Sequence, residues 1–93
     1  MKESEKVTER KLNKHVEALG GWSIKLLPSV TGLPDRLVLL PGGVVLFVEL
    51  KSEGKKATSI QEVVQSRIKK LGFKVYTVDT WEKVKNIKEL WNS

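Results

Sequence analysis

Glu49 and Lys51 close a segment whose preceding run, Val44 to Val48, is wholly apolar. Side chains alternate along a strand, so both charges point to one face, and each is costly if buried without a partner. Two arrangements are open: the strand leaves the core there and both reach water, or the pair is held beside a third charge. Asp35 can supply that charge. It follows Pro34 in Gly32-Leu33-Pro34-Asp35 and stands at the threshold of a second apolar segment. A Pro-Asp step also reads as a turn residue bonding its own backbone. However, segments 36–40 and 44–51 are separated only by Pro41-Gly42-Gly43. A hairpin centred near Gly42 places Asp35 across from position 49 or 50. Two carboxylates and an ammonium then converge. Paired carboxylates repel unless a cation lies between them, and Mg²⁺ or Mn²⁺ prefers such oxygen ligands. Acting on a phosphodiester, the metal would acidify a bound water and neutralise charge on phosphate oxygens. Lys51 would position the water or stabilise the transition state. Uncatalysed phosphate-ester hydrolysis is slow enough that a lysine alone would not suffice.

The elements that must carry these residues alternate in type. From Lys6 to Leu19, Val7, Leu12, Val16 and Leu19 fall near a 3.6-residue period, and Gly20-Gly21 ends it, which predicts a first helix. Trp22 to Leu27 reads as a strand, Pro28 to Pro34 as a loop, and Arg36 to Leu40 as a second strand. The β-branched and aromatic run from Val44 to Lys51 predicts a central strand covered on both faces. After the loop Glu53-Gly54-Lys55-Lys56, Thr58 or Ser59 can cap a helix with Ile60, Val63, Val64, Ile68 and Leu71 on one side. Lys74 to Val78 is a last strand. Asp79 or Thr80 can cap a closing helix with Trp81, Val84, Ile87, Leu90 and Trp91. The helix crossover before the last strand favours parallel pairing, while the short earlier connections suit an antiparallel meander. The expectation is α/β: a mixed central sheet flanked by helices, in the order αβββαβα.

At 93 residues the chain has room for one domain, 1–93. It has no Cys, which removes disulfides, thiolate metal sites and a cysteine nucleophile. The longest apolar run is far short of a membrane span, and the N-terminal MKESEKVTERK is too polar for a signal peptide. A soluble, cytoplasmic protein is expected. Seventeen Lys and Arg against 11 Asp and Glu give +6, so a polyanion is the first candidate partner, although a well-solvated surface has the same composition.

Pro34-Asp35 followed, after thirteen intervening residues, by Glu49-Leu50-Lys51 resembles the PD-(D/E)xK nuclease superfamily and its restriction-endonuclease-like core. More narrowly, the chain resembles VRR-NUC domains. That resemblance runs through Glu9, Leu12, Val16 and Gly20-Gly21, then Gly32 to Arg36, Phe47 to Lys51, Gln61, and Gly72-Phe73-Lys74-Val75. It is similar to compact stand-alone nucleases of phages and bacteria, associated with Mg²⁺- or Mn²⁺-dependent cleavage of DNA, Holliday junctions included. The resemblance implies that Asp35 and Glu49 ligate the metal, with the Leu50 backbone carbonyl as a third ligand. It implies that Glu9 reaches the metal directly or through water, with Glu5 one turn earlier as the rival carboxylate. Lys51 corresponds to the motif lysine, and Gln61 would hold the site or a water in place. In the loop Lys55-Lys56-Ala57-Thr58-Ser59-Ile60 relatives often have a proline, which this chain lacks.

Lys25, Arg36, Lys55, Lys56 and Arg67 are the candidate DNA contacts, whereas Lys69, Lys70 and Lys74 read as a charged helix exterior and its flank. His15 reads as a surface residue rather than a catalytic one. Cutting two strands suggests a homodimer, with Trp81, Leu90 and Trp91 or the loop Leu27 to Leu33 as interface candidates; each could equally be core, and Trp81 and Leu90 read as core first. The competing readings are a non-catalytic basic nucleic-acid-binding module and a protein-interaction domain. Asp35 and Glu49 weigh against the first, because without a metal they repel phosphate.

Overall fold

The computed structural model describes residues 2–27 and 29–91. Pro28, with which the expected loop begins, lies outside the described residues. Four strands form one sheet in the order β1-β2-β3-β4. They are β1 (Trp22–Lys25), β2 (Arg36–Leu40), β3 (Val44–Leu50) and β4 (Lys74–Val78). The first three pair antiparallel, and β3 and β4 pair parallel. With α1 (Glu5–Ala18), α2 (Ser59–Lys70) and α3 (Trp81–Lys85), the order is the αβββαβα expected from the sequence. The parallel pair is the one joined through a helix, because a parallel return requires a crossover.

One face of the sheet is sealed. Leu12 and Val16 of α1 pack with Val38, Leu40, Leu46, Val48, Leu50 and Val78 of the strands and with Val84, Ile87 and Leu90 behind them. Each such Leu, fully buried, contributes about 2–3 kcal/mol. Ser4 caps α1 by accepting from Val7 N–H, and Thr80, rather than Asp79, caps α3. The closing helix is shorter than its apolar spacing suggested. It stops at Lys85, and a 3₁₀ turn, Lys88–Leu90, completes the packing. Strand β1 likewise stops at Lys25, with one further ladder bond from Leu26 N–H to the Asp35 carbonyl.

The other face departs from the expectation of a fully covered central strand. On it Val45 and Phe47 are only half-buried, because the one helix there, α2, leans towards β4. Nor does α2 bury the whole of its apolar side. Ile60, Val63 and Leu71 are 49%, 58% and 76% exposed, and the buried residue of the helix is Gln65. Hydrogen bonding decides this orientation: Gln65 Nε2 donates to Thr77 Oγ1 at 3.0 Å on β4. Val64 and Ile68 remain half-buried. Near the helix start, the loop before β2 presses in at Gly32. A Cβ there would come 2.9 Å from the Ile60 carbonyl oxygen and 3.0 Å from Val64 Cγ2, and its φ of +89° also favours glycine.

Candidate active site

Arg36 faces Val48 across the β2–β3 ladder, so Asp35, one step further, stands level with Glu49. That is one of the two positions hairpin spacing allowed. The Asp35 carboxylate accepts Leu50 N–H through Oδ2 at 2.7 Å, which holds it against the end of β3 rather than in a local turn. Glu49 is 2% exposed. Its Oε2 accepts from Gln61 Nε2 at 2.9 Å and lies 3.5 Å from Lys51 Nζ. Among the described residues its Oε1 is buried without a partner. Burial, then the charge of Asp35, push the Glu49 carboxyl up to about 7, against the opposing pull of Lys51. The alternative in which both strand-end charges simply reach solvent is therefore not what the chain adopts.

Two adjacent carboxylates, one carrying an orphaned buried oxygen, form a donor set that suits a hard divalent cation. Such an ion would satisfy the orphaned oxygen and offset both the burial and the Asp35 charge that push the Glu49 carboxyl up. Asp35, Glu49 and the Leu50 carbonyl are the groups that would hold it. Lys51 stands beside the pair with a side chain 17% exposed.

Gln61 is fixed at both ends of its amide. Its Oε1 accepts Thr58 N–H at 2.8 Å, while Thr58 Oγ1 accepts Gln61 N–H at 3.3 Å. This capping box starts α2 and leaves Nε2 free to donate to Glu49. The Thr-x-x-Gln spacing is a legible sequence signal for it. Thr77 stands level with Glu49 on the neighbouring strand, and its bond to Gln65 seats the next turn of the helix. Neither of these two is marked by a motif.

The loop that delivers α2 is tied down without a proline. Gly54 N–H donates to Asp79 Oδ2 at 2.8 Å, and Lys55 N–H to the Ser52 carbonyl at 2.9 Å. Glu53 accepts Glu3 N–H at 2.8 Å, and the Glu3 carboxylate accepts Trp81 N–H at 2.9 Å. The Gly54 bond, followed by the side-chain bond from Lys83, holds the Asp79 carboxyl below its usual range.

Asp35, Glu49, Lys51 and Gln61 thus come together, with the Leu50 backbone between them. Among the described residues no three acidic or His side chains stand together, and Glu9 makes its contacts away from the acid pair. Its Oε2 accepts from Arg36 Nε and pairs with Nη2, both at 3.0 Å. Arg36 is accordingly turned into the protein, with Nη1 donating to the Ser23 carbonyl. Glu5 is exposed on the first turn. Lys25, Lys55, Lys56 and Arg67 are exposed. His15 is half-buried, its Nε2 2.7 Å from the Leu90 carbonyl oxygen and its ring 3.8 Å from that of Trp91.

The fold, with an acid pair and a lysine where two antiparallel strands end together, defines a VRR-NUC-type domain. A solved structure described as a VRR_NUC domain superposes with a TM-score of 0.84 at 32% identity, covering 97% of this chain and 100% of that one. The protein named "Putative nuclease p44" of Acyrthosiphon pisum secondary endosymbiont phage 1 is 40% identical over 73 residues, 77% of this chain and 78% of that protein. No family model matches the sequence. The chain belongs to the VRR-NUC family.

Proposed function

We propose that this protein is a divalent-metal-dependent DNA endonuclease of the PD-(D/E)xK type. The observation that carries the reading is Glu49, buried beside Asp35 with one oxygen unpaired and Lys51 within 3.5 Å of the other. The nuclease name of the phage relative supports it. A bound Mg²⁺ or Mn²⁺ would supply Lewis acidity and an acidified water. Asp35 and Glu49 would hold it through their oxygens. Lys51 contributes a cation that orients the nucleophilic water or meets charge developing on the phosphate. Gln61 holds Glu49 in place. Lys25, Lys55, Lys56 and Arg67, all exposed, contact the DNA backbone.

Branched DNA is the favoured substrate and a homodimer the favoured assembly, since two-fold symmetry would present two sites to a four-way junction. Of the two interface candidates, Leu90 is buried and Trp81 half-buried, whereas Leu27 and Val30 are 75% and 54% exposed. The second face, continued by Ile60 and Val63, is therefore the better one. The test is a cleavage time course on labelled four-way-junction and linear DNA, with Mg²⁺, Mn²⁺ or EDTA, alongside the Glu49→Ala protein. Metal-dependent cutting by the parent alone is expected. Tight, salt-sensitive binding with no cutting in either metal would refute the enzyme and leave a binding module.

A further inference from the structure

The DNA-binding reading, on which this inference rests, gives no task to a well-bonded segment, the residues ahead of α1. Glu3 is half-buried and bonds in three directions. Its N–H donates to Glu53 Oε1 at 2.8 Å, and its carbonyl accepts Glu53 N–H at 3.3 Å. Its Oε2 accepts from the hydroxyl of the fully buried Thr8 at 3.2 Å and from Trp81 N–H at 2.9 Å. One residue therefore ties the loop after β3 to the first turn of α1 and to the start of α3. The first N–H groups of a helix have no partner within it, so the Glu3 carboxylate supplies one that α3 lacks at Trp81.

This clasp sorts the charges around it. The two acids, Glu3 and Glu53, are half-buried and taken up by backbone N–H groups, while Lys2, Lys55 and Lys56 are exposed. Lys2 is close to the other two along the surface. Its Nζ lies over Gly54, 3.8 Å from where a β-carbon on that glycine would stand, and Gly54 is itself fixed by its N–H bond to Asp79. Lys55 and Lys56 line a pocket that also takes in Thr77, the residue level with Glu49 across the β3–β4 ladder. The three ammonium groups thus form a ridge that continues from the acidic site.

We propose that the segment ahead of α1 belongs to the DNA-binding surface, with Lys2 as a phosphate contact beside Lys55 and Lys56 and Glu3 as the positioning residue that holds it there. Phosphates flanking the one at the acidic site meet this ridge. Glu3 then acts against its own charge. By charge alone, deleting an acid near a polyanion tightens binding. Deleting the clasp weakens it, because Lys2 and its loop must be ordered at the moment of binding.

The experiment is fluorescence anisotropy on labelled duplex DNA in EDTA, from about 50 to 200 mM salt. Every protein is the full chain carrying Glu49→Gln, which prevents cutting and removes one repelling charge. To this reference are added Lys2→Gln, Lys2→Arg, Glu3→Gln, Glu3→Ala and the Lys2→Gln/Glu3→Ala pair. Lys2→Gln lowers the slope of log affinity against log salt by about 0.9, with affinity down about three- to fivefold, and Lys2→Arg restores both. Glu3→Ala weakens binding by a similar factor, and adding Lys2→Gln to it weakens binding no further. Glu3→Gln keeps an acceptor for Trp81 N–H and stays within about twofold of the reference. The inference is overturned if Lys2→Gln keeps the reference affinity and salt slope, or if Glu3→Ala binds more tightly, as charge alone demands. A reference protein with no salt-sensitive binding overturns the DNA-binding reading itself. Hydrogen exchange at Glu53 and Trp81 N–H reads the clasp without DNA: it should quicken in Glu3→Ala and not in Glu3→Gln, and unchanged exchange in Glu3→Ala would refute the clasp. Circular dichroism establishes folding, and Lys2→Gln, at an exposed position, decides the matter should Glu3→Ala not fold.

Discussion

Replacing Glu49 by Gln should make the metal-free protein more stable at alkaline pH while abolishing its chemistry. The carboxyl titrates near 4.5 when unfolded and at about 7 in the fold, chiefly through burial and then through Asp35. Between those values the native state binds the extra proton, so stability falls as pH rises. The contribution of Glu49 is intact below about pH 4.5, declines through the window up to 7, and is fully lost above it. A shift of this size corresponds to about 3 kcal/mol. In a domain of this length that is upwards of roughly 10 °C in melting temperature. Glutamine keeps the shape and an acceptor for Gln61 but has nothing to ionise. The attraction between Lys51 and the ionised carboxylate arises only as Glu49 ionises and is already contained in its folded value of about 7. The assay is urea unfolding of both proteins in EDTA from about pH 4.5 to 8.5, a range that brackets the titration. The stability gap, variant minus parent, should widen by about 3 kcal/mol over that range. A gap independent of pH would refute the argument that burial and Asp35 hold Glu49 against ionisation. Adding Mg²⁺ at about pH 8 should raise the parent's stability and leave the variant's nearly unchanged.

Other substitutions separate chemistry from scaffolding. Lys51→Ala should lower the cleavage rate while leaving DNA affinity nearly intact; a loss confined to affinity, read by fluorescence anisotropy, would make Lys51 a phosphate anchor. Thr58→Ala removes a helix cap and should cost about 1 kcal/mol in urea unfolding. Gln61→Ala should depress cleavage well beyond any such loss of stability, and equal catalytic damage from both would place the effect in the helix rather than in the amide. Asp79→Asn should destabilise the fold by about 1–2 kcal/mol and speed hydrogen exchange of Gly54 N–H, the group Asp79 Oδ2 accepts. Because the Asp79 carboxyl is held below its usual range, its contribution is present above about pH 4 and lost on acidification through the folded value. An Asp79→Asn protein as stable as the parent at neutral pH would refute the loop anchor.

The sequence made the acidic site legible because strand alternation and a short hairpin are rigid rules: they set Glu49 and Lys51 on one face and brought Asp35 opposite. Capping residues and the αβββαβα order followed from equally local signals. Helix α2 was read correctly only in part: of the five apolar residues that periodicity set on one side, Val64 and Ile68 are half-buried, whereas Ile60, Val63 and Leu71 are exposed. Its orientation is instead settled by Gln61 and Gln65, whose partners Glu49 and Thr77 lie 12 residues away in the chain. Periodicity weighs hydrophobic area and is blind to a specific amide contact formed only after the sheet exists. Glu9 illustrates the same limit from the other side. Family pattern gives it a place near the metal, while no local signal reveals that the guanidinium one residue beyond Asp35 pairs with its carboxylate. The aromatic packing of His15 on Trp91 was likewise invisible, since it joins residues at opposite ends of the chain.

The three-residue link Pro41-Gly42-Gly43 sits at the far end of the β2–β3 ladder, five residue pairs from Asp35, and touches nothing in the acidic cluster. Its two glycines hold φ of 86° and 79°, and together they fix how the hairpin counts. One added residue, taken up as a slip in pairing, would carry Asp35 from beside Glu49 to the reverse side of the sheet. Every side chain the chemistry needs would still be encoded, yet no catalytic centre would assemble. The turn is the alignment mark of the acidic cluster, setting its geometry from a distance without touching it.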